Sequence, residues 1–475
     1  MLQEVITYKE IGISLCNILD ILELVIEEPI NEHSTLKLTA ILSEEMKAEI
    51  IHELDEVLDV FYCKNGMSKS LFQGRVTTIN ISTIGELYEL KIEALSYTYG
   101  MDITRKSRSF QDINMTTHEV ITSIMRGYPG NDCILQIPNE PIGELVVQYQ
   151  ETDWEFIRRF VSRYQEGLYC DNGYSATRFY AGRPALKTQV NWDDLEYEVS
   201  KQMADFHGIQ ANDIEDMTSQ QYIVYKVRAY DYLELGTTVN YKNKSKAISQ
   251  IKRCLEAGEL VSYYSLQQQG GLRKKHFHNE RMTGVSIDGQ ILEVKRNKVK
   301  VHLTIDDDQE INLAYWFPYS TVSSSSGGSG WYCMPEVGES VRAYFPVHNE
   351  KEGYVITNIK SHTPEAPQDG DMMSDPTNKN ISTAQDKQVL FTSEGVFIIA
   401  NSGKGQVNLK LDGTVEVSGI EDITFNAVED IAMRAEQTVS ISANKNIDIL
   451  NESEGHVEIK IGGNMYLSAK EIYEN

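Results

Sequence analysis

The chain has no C-x-x-C pair: its six cysteines, Cys16, Cys63, Cys133, Cys170, Cys254 and Cys333, are scattered over 475 residues. That spacing argues against a zinc site and against a small disulfide scaffold. It reads as buried free thiols made in a reducing compartment. Positive charge is also scarce, with 44 Lys+Arg against 70 Asp+Glu and a net charge of -26. Such a chain is a poor candidate for gripping nucleic acid or an anionic membrane by charge. Long apolar runs are missing. The most apolar early stretch, Ile11 to Ile30, is broken by Asn17, Asp20, Glu23, Glu27 and Glu28, so nothing approaches the roughly 20 apolar residues of a membrane span. The start, MLQEVITYKEIG, has no basic segment followed by an apolar one. No signal peptide is expected, and export would occur inside or attached to something else.

What is present points to several folded parts. Apolar residues make up 41% of the chain, and at roughly 100–200 residues per domain two to four domains are expected. The end of the chain is a repeat of eight. Its units are VNLKLDGT from Val407, VEVSGIED from Val415, ITFNAVED from Ile423, IAMRAEQT from Ile431 and VSISANKN from Val439. IDILNESEGH from Ile447, VEIKIGGN from Val457 and MYLSAKEI from Met465 follow. The first position is always apolar: Val407, Val415, Ile423, Ile431, Val439, Ile447, Val457, Met465. So is the third: Leu409, Val417, Phe425, Met433, Ile441, Ile449, Ile459, Leu467. Alternation with period two means a strand with one buried face. Positions six to eight are rich in turn residues. The one ten-residue unit keeps parity, because ten is also even; an odd insertion would turn the apolar face outward.

One octad cannot stand alone. Ordering eight backbones costs about 1–2 kcal/mol each, while each of its two large inward side chains returns about 1.5–3 kcal/mol. Ladder hydrogen bonds and burial against other strands must supply the rest. Eight residues are short for a full coil of a single-chain solenoid. The expected solution is a prism in which three identical chains each supply one face, with those sixteen residues as its core. A single-chain β-solenoid and an ordinary β-sandwich are the alternatives.

Residues 284–361 read as a small barrel. Asp288-Gly289 is expected to turn, Gln290–Val294 and Val299–Ile305 to flank the basic turn Lys295–Lys298, and Asp306-Asp307-Asp308 to lead into a strand at Glu310–Ala314. Ser323–Gly330 is a flexible loop; Val341–Phe345 and Tyr354–Ile359 are the last strands. About five strands in under a hundred residues suit an OB-type barrel. Residues 362–388, rich in Pro, Asp and Asn, read as a linker. Residues 1–283 look like a strand-rich platform with helices. Leu22/Leu24/Ile26 and Leu36/Leu38/Ala40 suggest a hairpin around Pro29–Ser34, and Val76–Ile81 with Leu90–Ala94 another. Thr152 and Glu155 form a capping box before Trp154, Ile157, Phe160, Val161 and Tyr164 at helical spacing, with Gly167 as the stop.

The order Val299-Lys300-Val301, Trp316-Phe317-Pro318, Trp331, then Pro335-Glu336-Val337-Gly338-Glu339-Ser340-Val341 resembles the OB module of VgrG-like spike proteins. Upstream, Phe72-Gln73-Gly74-Arg75-Val76, Ser107-Arg108-Ser109-Phe110-Gln111, the helix after Thr152 and Leu235-Gly236-Thr237-Thr238-Val239 are similar to phage tail hubs of the late control D type. The resemblance spans nearly the whole chain. It implies a mainly β protein with some α: a hub of barrel-like subdomains at 1–283, an OB barrel at 284–361, a linker at 362–388 and an intertwined trimeric β-helix spike at 389–475. It also implies a ring of three hubs adapting a sixfold tube to a threefold needle. The partners implied are itself as a homotrimer, inner tube and baseplate proteins, a separate PAAR-like tip protein at the C-terminal end, and effector cargo. Assembly would be into a phage tail, tailocin or type VI secretion baseplate, with the target membrane touched only mechanically.

Candidate sites resolve into structure. His276-Phe277-His278 offers only two ligands on alternate strand positions and lacks a third. The family's H-x-H near the C-terminus, which holds iron, has no counterpart after His456. Asp306-Asp307-Asp308 lacks the further ligands of a calcium loop. Glu151 and Asp153 could pass for the acid pair of a glycosidase, but sit at a helix start where the dipole favours carboxylates. SSSSGGSG is not followed by Gly-Lys-Ser/Thr. Arg273-Lys274-Lys275 reads as an interdomain surface. No catalytic residue, cofactor or metal is expected. A trimeric receptor-binding fibre and a cell-wall hydrolase are the competing functions; the first predicts a globular head, the second a paired-carboxylate or metal cleft.

Overall fold

The computed structural model describes residues 5–15, 18–43, 57–85, 87–211, 217–321, 323–324, 330–331, 333–357, 377–383, 385–450 and 458–471. Cys16, most of the SSSSGGSG loop, residues 362–376 of the expected linker and the needle position Val457 lie outside the described residues. The chain divides into two compact units, Met1–Lys360 and Ser361–Asn475, each described by itself. It is mainly β with helices interposed.

The first unit opens with six strands: β1 (Ile11–Ile13), β2 (Asp20–Pro29), β3 (Thr35–Leu42), β4 (Val57–Lys64), β5 (Met67–Ile84) and β6 (Leu87–Ser96). They pair antiparallel in the order β1-β4-β5-β6-β3-β2. Period-two alternation puts Leu36, Leu38, Ala40 and Leu42 on the buried face of β3, and Leu90, Ile92 and Ala94 on that of β6. The expected β2–β3 hairpin forms, with one correction. Leu22 points outward, 54% exposed, while Ile21 and Leu24 are buried. The register slips between Ile21 and Glu23, and a bulge of this kind reverses side-chain parity on its far side.

Next come β7 (Arg105–Phe110), α1 (Thr117–Met125), β8 (Asp132–Leu135), β9 (Val146–Thr152), α2 (Asp153–Ser162), β10 (Leu168–Cys170) and β11 (Arg178–Ala181). Both α1 and α2 start with a complete capping box, Thr116/Glu119 and Thr152/Glu155. The inner face of α2, with Trp154, Phe156, Ile157, Phe160 and Val161, is buried against Phe110 and Phe179. The stop differs from the expected Gly167. The helix ends at Ser162, and Gln165 takes the left-handed turn with φ 59°. Gly167 serves close approach instead: a Cβ there would stand 2.8 Å from Ile30 Cγ2 and 2.9 Å from Asn31 Oδ1.

The opening sheet then continues. After β12 (Lys187–Thr188), β13 (Tyr197–Lys201), α3 (Met203–Gln210), β14 (Ile223–Ala229) and β15 (Thr238–Tyr241), the long β16 (Lys244–Glu256) joins β2 along Gln250–Cys254. It carries on through β17 (Glu259–Gln267) to β14 and β13.

The barrel is built from β18 (Val285–Lys295), β19 (Lys298–Leu303), β20 (Trp316–Pro318), β23 (Ser340–Phe345) and β24 (Tyr354–Thr357), while β21 (Ser323–Ser324) and β22 (Gly330–Trp331) pair as a separate hairpin. The sheet order is β20-β19-β18-β23-β24, and a bridge between Tyr319 and Val355 closes it. Two expectations are corrected. Asp288-Gly289 is not a turn but the middle of β18. A Cβ on Gly289 would lie 2.5 Å from Val301 Cγ1, so glycine stands there because the neighbouring strand leaves no room. Glu310–Ala314 is not a strand: it makes tight turns, with the Ala314 amide donating to the Glu310 carbonyl at 3.0 Å.

In the second unit β25 (Lys379–Ser382), β26 (Gln388–Thr392), β27 (Gly395–Ala400), β28 (Gly405–Lys410) and β29 (Val415–Gly419) pair antiparallel in sequence order. The first two octads therefore lie side by side, Val407 opposite Val417 and Leu409 opposite Val415. Asp412-Gly413-Thr414, the turn positions of the first octad, reverse the chain between them. Here the Thr414 amide donates to Asp412 Oδ1 at 2.9 Å. Among the described residues after Gly419, no strand pairs within the chain.

Candidate assembly interface

Among the described residues the octads present a long apolar row that nothing covers. Exposures are 49% and 71% for Ile423 and Phe425, 57% and 69% for Ile431 and Met433, and 52% and 64% for Val439 and Ile441. Ile447, Ile449, Ile459, Met465 and Leu467 are all at least half exposed, as are Val415 and Val417. Covering even a few such side chains yields about 1.5–3 kcal/mol each. The meander of the first octad does not bury them either: Leu409 is 43% exposed, while its polar neighbour Asn408 is 7% exposed. Isolated apolar surface residues are ordinary, but a contiguous row of this length marks a surface that binds something.

The second site is the junction between platform and barrel. Its anchors come from the SRSFQ stretch. The Ser109 amide donates to Asp306 Oδ1 at 2.6 Å, and its hydroxyl donates to Asp306 Oδ2. Gln111 donates to the Val301 carbonyl at 3.2 Å and accepts from the Tyr315 amide at 3.0 Å. Asp306 thus does more than start a turn. Burial pushes its carboxyl up, and the two Ser109 hydrogen bonds pull it back. Deeper in, Arg159 on α2 donates to both oxygens of Glu151 at 2.8 Å and to Glu350 of the barrel at 3.0 Å. It also reaches the Val147 carbonyl at 2.7 Å.

The sequence-level candidates land as follows. Glu151 is consumed by Arg159. Asp153, fully buried, accepts from Lys106 at 2.6 Å, Tyr128 at 2.7 Å, Gln148 at 3.0 Å, and also from Arg108. Burial opposes its charge, but these donors hold its carboxyl below the usual range. The two carboxylates are therefore anchors of the fold. The expectation that His276 and His278 occupy alternate strand positions is corrected: both lie in an irregular segment. A third histidine joins them from the barrel: ring centroids lie 4.4 Å apart for His276–His278 and 4.1 Å for His278–His348. Burial, then the charges of His278, Arg163 and Arg159, push His276 down to about 4. Among the described residues no three His, Cys, Asp or Glu side chains are grouped to hold a metal ion.

One constellation escaped the sequence reading because its members are far apart in the chain. His33 Nδ1 lies 2.8 Å from Thr98 Oγ1, its Nε2 lies 3.1 Å from Asp102 Oδ2, and Thr98 in turn meets Cys170 Sγ at 3.4 Å. The order resembles a nucleophile, base and acid. Yet Thr98 is 1% exposed and Cys170 5%, and burial pushes the Cys170 thiol up, away from the reactive thiolate. Tilted against Trp154 with ring centroids 4.7 Å apart, His33 instead ties β2–β3, α2 and β10 together. Among the described residues no helix is long and apolar enough to cross a membrane.

Residues 27–173 match the family described as phage tail baseplate hub (GPD). No curated protein sequence matches the chain significantly. Among solved structures, the E. coli c3393 protein is a type VI secretion component with structural similarity to the phage T4 tail proteins gp27 and gp5. It is 12% identical with a TM-score of 0.50, covering 73% of this chain and 98% of its own. The Francisella PdpA–VgrG complex in its half-lidded form is 8% identical with a TM-score of 0.53, covering 84% of this chain and 83% of that one. The lidless form is 9% identical with a TM-score of 0.53, covering 84% and 93%. At these identities the likeness is one of fold.

Proposed function

We propose that this chain, VgrG-like in fold and carrying a baseplate-hub region at residues 27–173, works as the homotrimeric hub and central spike of a contractile injection machine. The observation that carries the reading is the exposed octad row from Val415 to Leu467, which a lone chain leaves in water. Three copies wound together supply each strand with ladder partners and turn the sixteen first- and third-position residues inward. Eight-residue spacing sets one turn per face, and even parity keeps every octad in phase.

The mechanism is mechanical. The platform, built on one long sheet, seats against inner tube and baseplate proteins. The barrel is clamped to it by Asp306, Gln111 and Arg159, so axial force on the platform passes into the barrel without a hinge at that junction. The needle concentrates the force on a small area of envelope. A separate pointed protein caps the C-terminal end, and effector cargo rides with the assembly. The chain's acidic pairs serve its fold, and the reading assigns it no reaction of its own.

Native mass by light scattering, for the full chain and for a chain cut after Lys387, tests this. A trimer that weakens or vanishes on truncation supports the reading. A monomer at full length removes the intertwined needle and overturns the reading.

A further inference from the structure

Outside the assembly surfaces, the platform holds a polar cleft of about 230 Å³. It lies where β5, the β10–β11 connection and the segment before β15 meet. Asn172, in its lining, is 4% exposed, and neither its side-chain oxygen nor its nitrogen has a hydrogen-bond partner. Buried amides are almost always satisfied, so such an exception calls for an absent partner. The backbone beside it is held in place: the Asn172 carbonyl accepts from the Gln73 amide at 3.1 Å, and the adjoining Asp171 amide donates to the Arg178 carbonyl at 3.0 Å. Arg178 repeats the pattern. Its Nε lies 3.3 Å from Asp132 Oδ2 and 3.6 Å from Asp171 Oδ2, yet is hydrogen-bonded to neither.

The lining decides the ligand's chemistry. Glu28 is ion-paired with Arg253, and the remaining Asp171 and Glu234 are matched by Lys69 and Arg178, so the lining offers no net charge to draw in an anion or a cation. Lys69 Nζ lies over one face of the Tyr232 ring, 4.0 Å from its centre, and the Arg178 guanidinium over one face of the Tyr174 ring at 4.9 Å. What fits is a neutral molecule with donors and acceptors on adjacent atoms and an apolar face for Tyr174 or Tyr180. The volume is below the roughly 300–1,000 Å³ of pockets for drug-sized ligands, which limits the occupant to about one ring.

We propose that this cleft binds a neutral saccharide ring, with the Asn172 amide and Arg178 Nε as its polar anchors and the tyrosines as its stacking wall. The proposal stands apart from the needle, since every residue it uses lies in the first unit.

The test is ligand-observed saturation-transfer NMR on the full-length protein. The probes are glucose, galactose, mannose and N-acetylglucosamine, with inorganic phosphate and lysine amide as the charged comparators. The proteins are wild type, Asn172→Leu and Tyr174→Ala. Expected is a signal from at least one sugar and none from phosphate or lysine amide. Affinity should drop about tenfold or more in each variant, as loss of a hydrogen-bonded or stacked contact implies. Tyr174 lies at the half-buried rim, so its variant carries the test should Asn172→Leu fail to fold. Silence from every sugar overturns the proposal, as does sugar binding unchanged in a folded variant or preferential binding of either charged probe.

Discussion

Arg159 and Glu350 meet at 3.0 Å with side chains only 5% and 8% exposed, so platform and barrel share a buried ion pair. Such a pair adds little net stability over well-fitted apolar residues, but removing one partner strands the other charge. Glu350→Ala leaves Glu151 as the sole carboxylate on Arg159. Because Arg159 keeps Glu151, we expect a loss of roughly 1–3 kcal/mol, the cost of a buried donor losing its acceptor, rather than the larger penalty of a stranded charge. Calorimetry checks this: the first thermal transition should fall, and the barrel should melt apart from the platform. A change under about 1 kcal/mol means the junction is held elsewhere.

The Ser109–Asp306 clasp gives a smaller expectation. Asp306→Ala removes the acceptor for both the amide and the hydroxyl of Ser109. An unsatisfied buried donor costs about 1–3 kcal/mol. Ser109→Ala deletes only the hydroxyl bond and should cost less. Denaturant titration of both variants orders them; equal losses mean the amide bond contributes nothing.

Acid should loosen the same junction. His276 is held down at about 4 in the folded chain, against about 6.5 when unfolded. Between those values the unfolded chain takes up a proton and the folded chain does not, so stability falls as pH drops from about 6.5 to about 4. Below that both forms are protonated and the contribution is spent. His278 shifts the same way, through burial first and then His348, with Glu280 and Glu350 opposing. Thermal midpoints from pH 7.5 to 4 should fall less steeply in His276→Gln than in wild type. Parallel slopes refute the role of this cluster.

Octad parity can be tested by insertion. One alanine after Asn446 should turn the apolar residues of the last three units outward and weaken the trimer, while two alanines preserve the face. Native mass reads the difference. Phe425→Asp should weaken assembly as well, whereas Asn426→Asp at the adjacent polar position should not. Equal behaviour of the one- and two-residue insertions contradicts a needle with one apolar face.

Much of this was legible because local rules sufficed. The capping box at Thr152 and Glu155 starts α2 where expected, and alternation marks β3 and β6. What failed needed a neighbour strand or a distant partner. Leu22 follows the alternation in sequence, but a bulge against β3 turns it to water. Asp288-Gly289 looks like a turn, yet Gly289 is small because Val301 crowds it. Glu310–Ala314 has the composition of a short strand and no strand to pair with. The third histidine of the junction, His348, lies seventy positions from His278 in the chain and shares no local pattern with it. For the candidate site, the octad row was readable in the sequence, while the Arg159–Glu350 contact and the orphaned Asn172 amide required the fold.

Hydrogen exchange on residues 420–450 of the full-length protein tests the intertwined needle most directly. In one chain alone, among the described residues, the amides after Ile420 have no ladder partner, so they exchange at rates near those of an unfolded peptide. An intertwined needle requires slow exchange through every octad, lost together when the trimer is dissociated. Fast exchange across 420–450 in a particle that is trimeric by mass would place the trimer contacts in the platform alone and contradict the needle.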